Sequence, residues 1–432
     1  MSPLRRALPG SEGNGPGCDD ESRLPARSHR AGRRVRTLFI IRWEFVVVQH
    51  VLVAPDKFKG SLTAAEVASR VSAGLGVPTV ELPVADGGDG TVDAAVAGGF
   101  GRITIEVTGP TGERVPASYA WQPTGTAVIE LAEASGLRRL PGGHEPLTAT
   151  SYGTGELIAD AVRRGAKRVV LGLGGSACTD GGAGMAQALG ARLLDAEGRD
   201  LPRGGAALKD LARIDLSGFL DISGVEFVVA SDVDNPLLGP HGAAAVYGPQ
   251  KGATPEDVTT LEAALARLAA VATTTHGLMG AVEHDGVPRA MGVAGAPGAG
   301  AAGGVGFAAL TFLHAEIRPG IEYLLDLLGF GEVVLGARLV VTGEGSLDAQ
   351  SLRGKAPVGV AQAAARAGVS VVAVCGRRTL TDAELKAAGI EAAYALTDLE
   401  PDTERCMAEA GPLLERLAAR LAADRRLAEG AA

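Results

Sequence analysis

At 432 residues the chain is long enough for two or three domains with a full hydrophobic core. A net charge of -9 with only 4% aromatic residues weighs against a nucleic-acid surface, which needs clustered Lys and Arg and usually stacking rings. The four cysteines, Cys18, Cys178, Cys375 and Cys406, show no C-x-x-C spacing, so neither a disulfide framework nor a zinc site is indicated and a reducing, cytoplasmic setting is expected. Arg42, Glu44, Gln49 and His50 interrupt the only apolar run that approaches the roughly 18 residues of a membrane span.

Residues 1–49 are rich in Arg, Gly, Pro and Ser and lack periodicity. They read as a disordered extension or as a mis-assigned start, with translation beginning near Val48. The first strand is expected at His50–Ala54, ended by Pro55. A helix follows, for which Thr63 and Glu66 form a capping box. Asp56, Lys57 and Lys59 then lie in a strand-to-helix loop, the position where parallel α/β sheets bind ligands; a solvated charge cluster is the plain alternative.

A second strand, Thr79–Val84, leads into ADGGDGT, where Asp86 and Asp89 are separated by two glycines. Carboxylates this close repel one another, and a cation held by oxygen ligands, Mg²⁺ rather than zinc, relieves that repulsion. An ordinary Asp-Gly turn would look the same. From Arg102 to Trp121 the alternation reads as a hairpin turning at TGPTGE, and a domain entry is placed near Gly98. A strand at Ala127–Leu131 and a helix capped by Thr154 come next.

Residues 167–194, KRVVLGLGGSACTDGGAGMAQALGARLL, read as a buried strand, a glycine-rich turn and a helix. Gly174, Gly175, Gly181 and Gly182 crowd around Ser176 and Asp180. Such density costs backbone entropy, and the usual reason is close approach of bare N–H groups to an anion, here a phosphate or carboxylate. Two rivals are a ligand-free tight connection and a dinucleotide fingerprint through Gly172, Gly174 and Ala177, with Asp195 about 20 residues further on. Asp180 argues against the second, because it would repel a pyrophosphate unless a metal lay between.

Glu226–Ala230 is another strand, running into Asp232, Asp234 and Asn235, and Gln250 and Lys251 stand in a glycine-flanked loop that could reach an anion. Thr260–Ala272 reads as scaffold helix. Gly292–Gly306, which includes Gly300 and Gly303, is a second phosphate cradle or a hinge, leading into an apolar helix Val305–Leu313. A strand at Ala337–Thr342 ends in a loop with Glu344 and Asp348 before Lys355 and a helix; Val371–Cys375 and Gly411–Ala428 complete the chain.

Taken together, APDKFKGSLTA at 54–64, VADGGDGT at 84–91, SYGTGELI at 151–158, LGGSACTDGGAGM at 173–185, SDVDNPLLG at 231–239, YGPQKGA at 247–253, PGAGAAGG at 297–304 and TGEGSLDAQSLRGK at 342–355 resemble the type-1 glycerate kinase family in order and spacing. The resemblance covers nearly the whole chain from His50 onward. It departs where Lys57 replaces a common Ser, Cys178-Thr179 a Thr-Asn pair and Asp234 a common Thr.

What the resemblance implies is ATP-dependent phosphorylation of D-glycerate, commonly to 2-phosphoglycerate, with 3-phosphoglycerate left open. It also implies an α/β fold of two domains. One is a flavodoxin-like parallel α/β/α domain from residues 50–97 and 291–432; the other is an inserted mixed α/β domain, residues 98–290. A non-catalytic organic-acid sensor and an NAD(P)-dependent oxidoreductase are the alternatives, and a homo-oligomer is left open. From residue chemistry, Asp86, Asp89 and Asp232 are expected to bind Mg²⁺ and Asp180 to accept the glycerate hydroxyl proton. Lys57, Lys59 and Lys251 are expected to offset the charge of phosphate or the glycerate carboxylate. Gly174, Gly175, Ser176, Gly181, Gly182, Asn235, Gly300 and Gly303 are expected to bind substrate or nucleotide, with Glu344, Asp348 and Lys355 at the cleft.

Overall fold

The structure, a computed structural model, describes residues 49–276, 282–284, 287–289 and 292–428. The expectation for the N-terminal extension therefore lies outside the described residues, Gln49 apart. Val51 to Ala54 are wholly buried, as an apolar strand covered on both faces should be. This strand, His50–Pro55, pairs in parallel with Ala337–Leu347 on one side and Thr79–Glu81 on the other. Hydrogen bonds from Leu82 N–H to Val53 and from Val84 N–H to Pro55 carry that pairing beyond Glu81. The sheet runs Ala392–Ala395, Val371–Arg378, Ala337–Leu347, His50–Pro55, Thr79–Glu81, every pair parallel. Counted along the chain within this sheet the order is 2-1-3-4-5, the flavodoxin-like arrangement, whose switch point lies between His50–Pro55 and Ala337–Leu347.

Helices cover both faces. Ala64–Leu75 presents Val67, Val71 and Leu75 at helical spacing to a core shared with Ala410–Asp424. Thr63 and Glu66 close the expected capping box, and Gly76, at φ 62°, ends the helix. On the opposite face Ala356–Arg366 packs with Ile321, Leu325 and Leu328.

The second sheet runs Glu316–Arg318, Glu226–Ala230, Arg168–Gly172, Thr126–Glu130, Arg114–Gln122, Gly101–Thr108; the first four strands are parallel and the last two form the expected antiparallel hairpin. Ala127, Ile129, Val169 and Leu171 point into a large core with the helices Tyr152–Arg163, Ala183–Ala188, Pro255–His276 and Ala301–Phe312. The alternate residues Val128, Val170 and Ala230 meet Val92 and Ala95 of the helix Thr91–Ala97, together with Leu324. The helix Gly320–Leu327 thus offers Leu324 to this sheet and Ile321 and Leu325 to the other.

Three sequence expectations shift. Thr154 does not cap its helix, which starts at Tyr152; the Thr154 side chain is buried inside and bonds Ser135. The Gly292–Gly306 segment is ordered, with a 3₁₀ turn at Gly292–Gly295 and left-handed backbone at Ala302, Gly303 and Gly304 before the apolar helix continues. Past residue 291, Val305 and Phe307 still belong to the second core and Glu316–Arg318 still pairs with Glu226–Ala230. We propose residues 98–318 as the inserted lobe, a boundary drawn by strand pairing that sequence texture does not reveal.

Candidate active site

A cleft of about 680 Å³ opens along the carboxyl edge of the first sheet. Four consecutive strand ends feed it: Asp56, Lys57 and Lys59 after the first strand, Glu344 and Ser346 on the next, Gly376 and Arg377 after that, and Leu396 and Thr397 at the margin. Asp86 and Asp89 enter from the loop after Thr79–Glu81, Asp348 and Lys355 from the loop following Glu344, and Gly175 from the second sheet's glycine-rich turn. Asp56, Lys57, Lys59, Asp86, Asp89, Gly175, Glu344, Asp348 and Lys355 all line this one cleft.

The charges are held at close quarters. Lys57 Nζ lies 3.6 Å from Asp56 Oδ1, and the Lys57 backbone N–H donates to the same oxygen at 2.6 Å. Burial, helped by Asp86 and Glu344 and opposed by Lys57, pushes the Asp56 carboxyl up to about 7. Burial pulls the Lys57 ammonium down, but Asp56, Asp86, Asp89 and Glu130 together outweigh it, so the net displacement is upward. Glu344 is raised by burial, against the Ser351 hydroxyl that bonds it and Lys355, whose Nζ is 3.8 Å away.

Asp86 Oδ1 accepts from Gly88 N–H at 3.0 Å, whereas Asp89 Oδ1 is buried with no hydrogen-bond partner. A buried carboxylate oxygen without a donor is costly unless a cation or ligand satisfies it. Among the described residues no three His, Cys, Asp or Glu side chains stand close enough to hold a metal by themselves. The unpartnered Asp89 Oδ1 is the kind of donor that suits an ion taking the rest of its oxygen shell from phosphate or water, the habit of Mg²⁺.

Several expected site residues are placed elsewhere. Asp180 is fully buried and is not among the residues lining the cleft. Its Oδ2 accepts from Ser151 N–H at 2.8 Å, Ser151 Oγ at 2.9 Å, Thr150 Oγ1 at 3.3 Å and Gly184 N–H at 3.2 Å, and its Oδ1 from Gly182 N–H at 3.0 Å. With five donors and no opening onto the cleft, it organises its own turn. Lys251 is likewise interior: its ammonium donates to Ser176 Oγ at 2.8 Å and to the Cys178 carbonyl at 2.6 Å, and burial lowers its pKa. Asp232 accepts from Gly320 N–H at 2.9 Å and lines a separate depression beside Asp234 and Arg318; burial, with Asp86 nearby across Gly320, raises its carboxyl to about 6.

The glycines, too, serve mostly packing. A Cβ on Gly174 would stand 2.3 Å from Gly88 Cα, on Gly181 2.4 Å from Leu268, on Gly182 2.3 Å from Ala308, on Gly300 2.2 Å from the Pro236 carbonyl and on Gly303 2.1 Å from the Cys178 carbonyl. At Gly174, Gly300 and Gly303 two chain segments touch backbone to backbone, and at Gly181 and Gly182 the missing Cβ leaves room for the Leu268 and Ala308 side chains. Asn235 spends its amide on the His241 carbonyl and the Tyr247 hydroxyl. Asp195 accepts from Glu197 N–H and Arg199 N–H within its own turn, so the dinucleotide fingerprint lacks its ribose-binding acid.

Residues missed from sequence include Glu130, Gly376, Arg377, Leu396, Cys406 and Met407. The strand end after Val371–Cys375 was a usable signal for Gly376 and Arg377, on the same carboxyl-edge logic as Asp56. Nothing local marks Cys406 or Met407, which reach the cleft from the helix Thr403–Ala408.

A flavodoxin-like sheet whose switch-point cleft gathers lysines and carboxylates, with a second lobe contributing to its wall, has the charge and positioning that a small-molecule phosphotransferase needs. The sequence profile of the Glycerate kinase family matches residues 51–426. A glycerate kinase of Bacillus subtilis (strain 168) is 43% identical over 389 residues, 88% of this chain and 98% of the relative. A glycerate 2-kinase of Escherichia coli (strain K12) is 42% identical, covering 80% and 90% of the two chains. A crystal structure from Salmonella typhimurium LT2, provisionally described as glycerate kinase 2, superposes with a TM-score of 0.75 at 40% identity, covering 88% of this chain and 99% of that one. The chain belongs to the glycerate kinase family, and its reaction is phosphoryl transfer to glycerate. No helix among the described residues is long and apolar enough to cross a membrane.

Proposed function

We propose that the chain transfers the γ-phosphoryl group of ATP, as its Mg²⁺ complex, to the 2-hydroxyl of D-glycerate, in the cytoplasm. The observation that carries this reading is the gathering of Lys57, Lys59 and Lys355 with Asp56, Asp86 and Asp89 in one cleft at the sheet's carboxyl edge. Phosphoryl transfer asks a protein chiefly for positioning and charge neutralisation, and this set supplies both. Asp86 and Asp89 would hold the ion, which when bound neutralises polyphosphate charge. Lys57, half-buried among carboxylates, faces the transferred group, while Lys59 and Lys355 bind phosphate or the substrate carboxylate.

Asp56, rather than the fully buried Asp180, takes the proton-accepting role. It lines the cleft beside Lys57, and its raised pKa suits a general base near neutral pH. The 2-position is supported by the name of the Escherichia coli relative. The test is incubation with D-glycerate and Mg-ATP followed by enolase alone, which consumes only the 2-phosphate; product that feeds enolase only after a phosphoglycerate mutase is added would overturn the regiochemistry.

A further inference from the structure

The cleft is chemically lopsided. At the end where Gly175 of the second sheet enters, its walls are Asp56, Lys57, Asp86 and Asp89. At the far end they are Leu396, Thr397, Cys406 and Met407, with no carboxylate among them. Leu396 and Cys406 are 1% and 5% exposed, whereas Met407 is 53% exposed, one of the few large apolar side chains left in solvent. Its terminal Cε methyl reaches over the 58–61 loop, so close that a Cβ on Gly60 would lie 3.1 Å from it. A half-bare methionine at the rim of a polar cleft is a soft, adaptable surface for a flat ring.

We propose that the Leu396–Met407 end seats the nucleobase and that glycerate occupies the Gly175 end. The inference rests on the phosphotransferase reading and adds the direction in which the two substrates lie. A three-carbon hydroxy acid has no apolar face to bury, and a polyphosphate has none either; a purine has two faces and a hydrogen-bonding edge, for which the Thr397 hydroxyl is available. The four strand ends under the cleft span three inter-strand gaps, about 14 Å, so a triphosphate laid along them brings its terminal group to Lys57. The acceptor then lies where Gly175 of the second sheet meets Asp86 and Asp89.

Met407→Glu tests the orientation, with Met407→Leu as the conservative rescue and far-UV circular dichroism to confirm folding. The expected result is a KM for ATP raised at least fivefold with the KM for glycerate within twofold, and recovery in the leucine variant. A shift in the glycerate KM instead, an equal shift in both, or no shift in either overturns the proposal. Titration calorimetry with Mg-ADP and no acceptor supplies a readout independent of turnover: weaker ADP binding by Met407→Glu supports the seat, and unchanged binding rejects it. A wild-type protein that binds ADP but does not phosphorylate glycerate would instead count against the function proposed above.

Discussion

Glu130 Oε2 accepts a hydrogen bond from Gly90 N–H at 2.9 Å, and through it the end of a second-sheet strand holds the loop that carries Asp86 and Asp89. The same oxygen accepts from Val92 N–H at 3.3 Å, and Oε1 from Arg138 at 3.3 Å. Glu130→Ala leaves those backbone donors unpaired, at a cost of about 1–3 kcal/mol each if buried. The expected outcome is a lower Tm together with at least a tenfold loss in kcat/KM; unchanged turnover in the folded variant would separate Glu130 from the site.

The same carboxyl makes a pH prediction. Burial, with Glu133 and Asp89 adding and Arg138 opposing, raises Glu130 from 4.5 to about 7. Because the folded value lies above the unfolded one, the native state binds the extra proton, and its stability contribution is complete below about 4.5 and lost as pH rises through 7. Wild-type Tm should therefore decline between pH 5 and pH 8 more steeply than that of Glu130→Gln, which carries no such proton. Parallel Tm profiles would show that the group does not titrate in this range.

Asp180→Asn distinguishes an anchor from a base. Replacing one acceptor oxygen by an NH₂ opposes donors that already converge on it, so a loss of several kcal/mol of stability is expected. Turnover lost only in proportion to folded protein confirms the anchor. A variant of wild-type stability with kcat down about 100-fold would restore Asp180 as the general base.

Gly175 and Gly182 both have left-handed backbone, at φ 73° each, yet they should fail differently. A Cβ on Gly175 comes within 2.5 Å of Asp89 Oδ1, in the cleft, whereas one on Gly182 meets Ala308 in the second core. Gly175→Ala is expected to weaken Mg²⁺-dependent activity at least tenfold; Gly182→Ala is expected to lower Tm. Kinetics and calorimetry on both variants check the contrast.

Removing metal ligands should be selective. Asp89→Asn is expected to raise the Mg²⁺ concentration for half-maximal activity several-fold, while Asp232→Asn, outside the cleft, leaves the Mg²⁺ titration within twofold of wild type. Equal effects would put Asp232 back in the ion's shell. For Thr63→Ala, which breaks a capping box away from the chemistry, urea unfolding should report a loss of about 1 kcal/mol with KM unchanged.

The chain's own residues determined a great deal. Buried strands such as His50–Pro55 and Arg168–Gly172, the Thr63 cap and the Gly101–Gln122 hairpin were readable because each depends on neighbours within a few positions. That Asp56, Asp86 and Glu344 gather at one edge was readable because carboxyl ends of parallel strands converge there whatever the details.

What only the tertiary structure decided was the use made of glycine and of buried charge. Local sequence cannot distinguish a bare N–H facing a phosphate from a bare Cα facing another backbone, as at Gly174 against Gly88. Nor can it tell an aspartate open to substrate from Asp180, whose five donors come largely from segments about 30 residues away, or foresee that Met407 would meet the 58–61 loop. Those outcomes depend on which distant surfaces fold against each other, and burial then determines whether a polar group is left to act or is consumed in holding the fold.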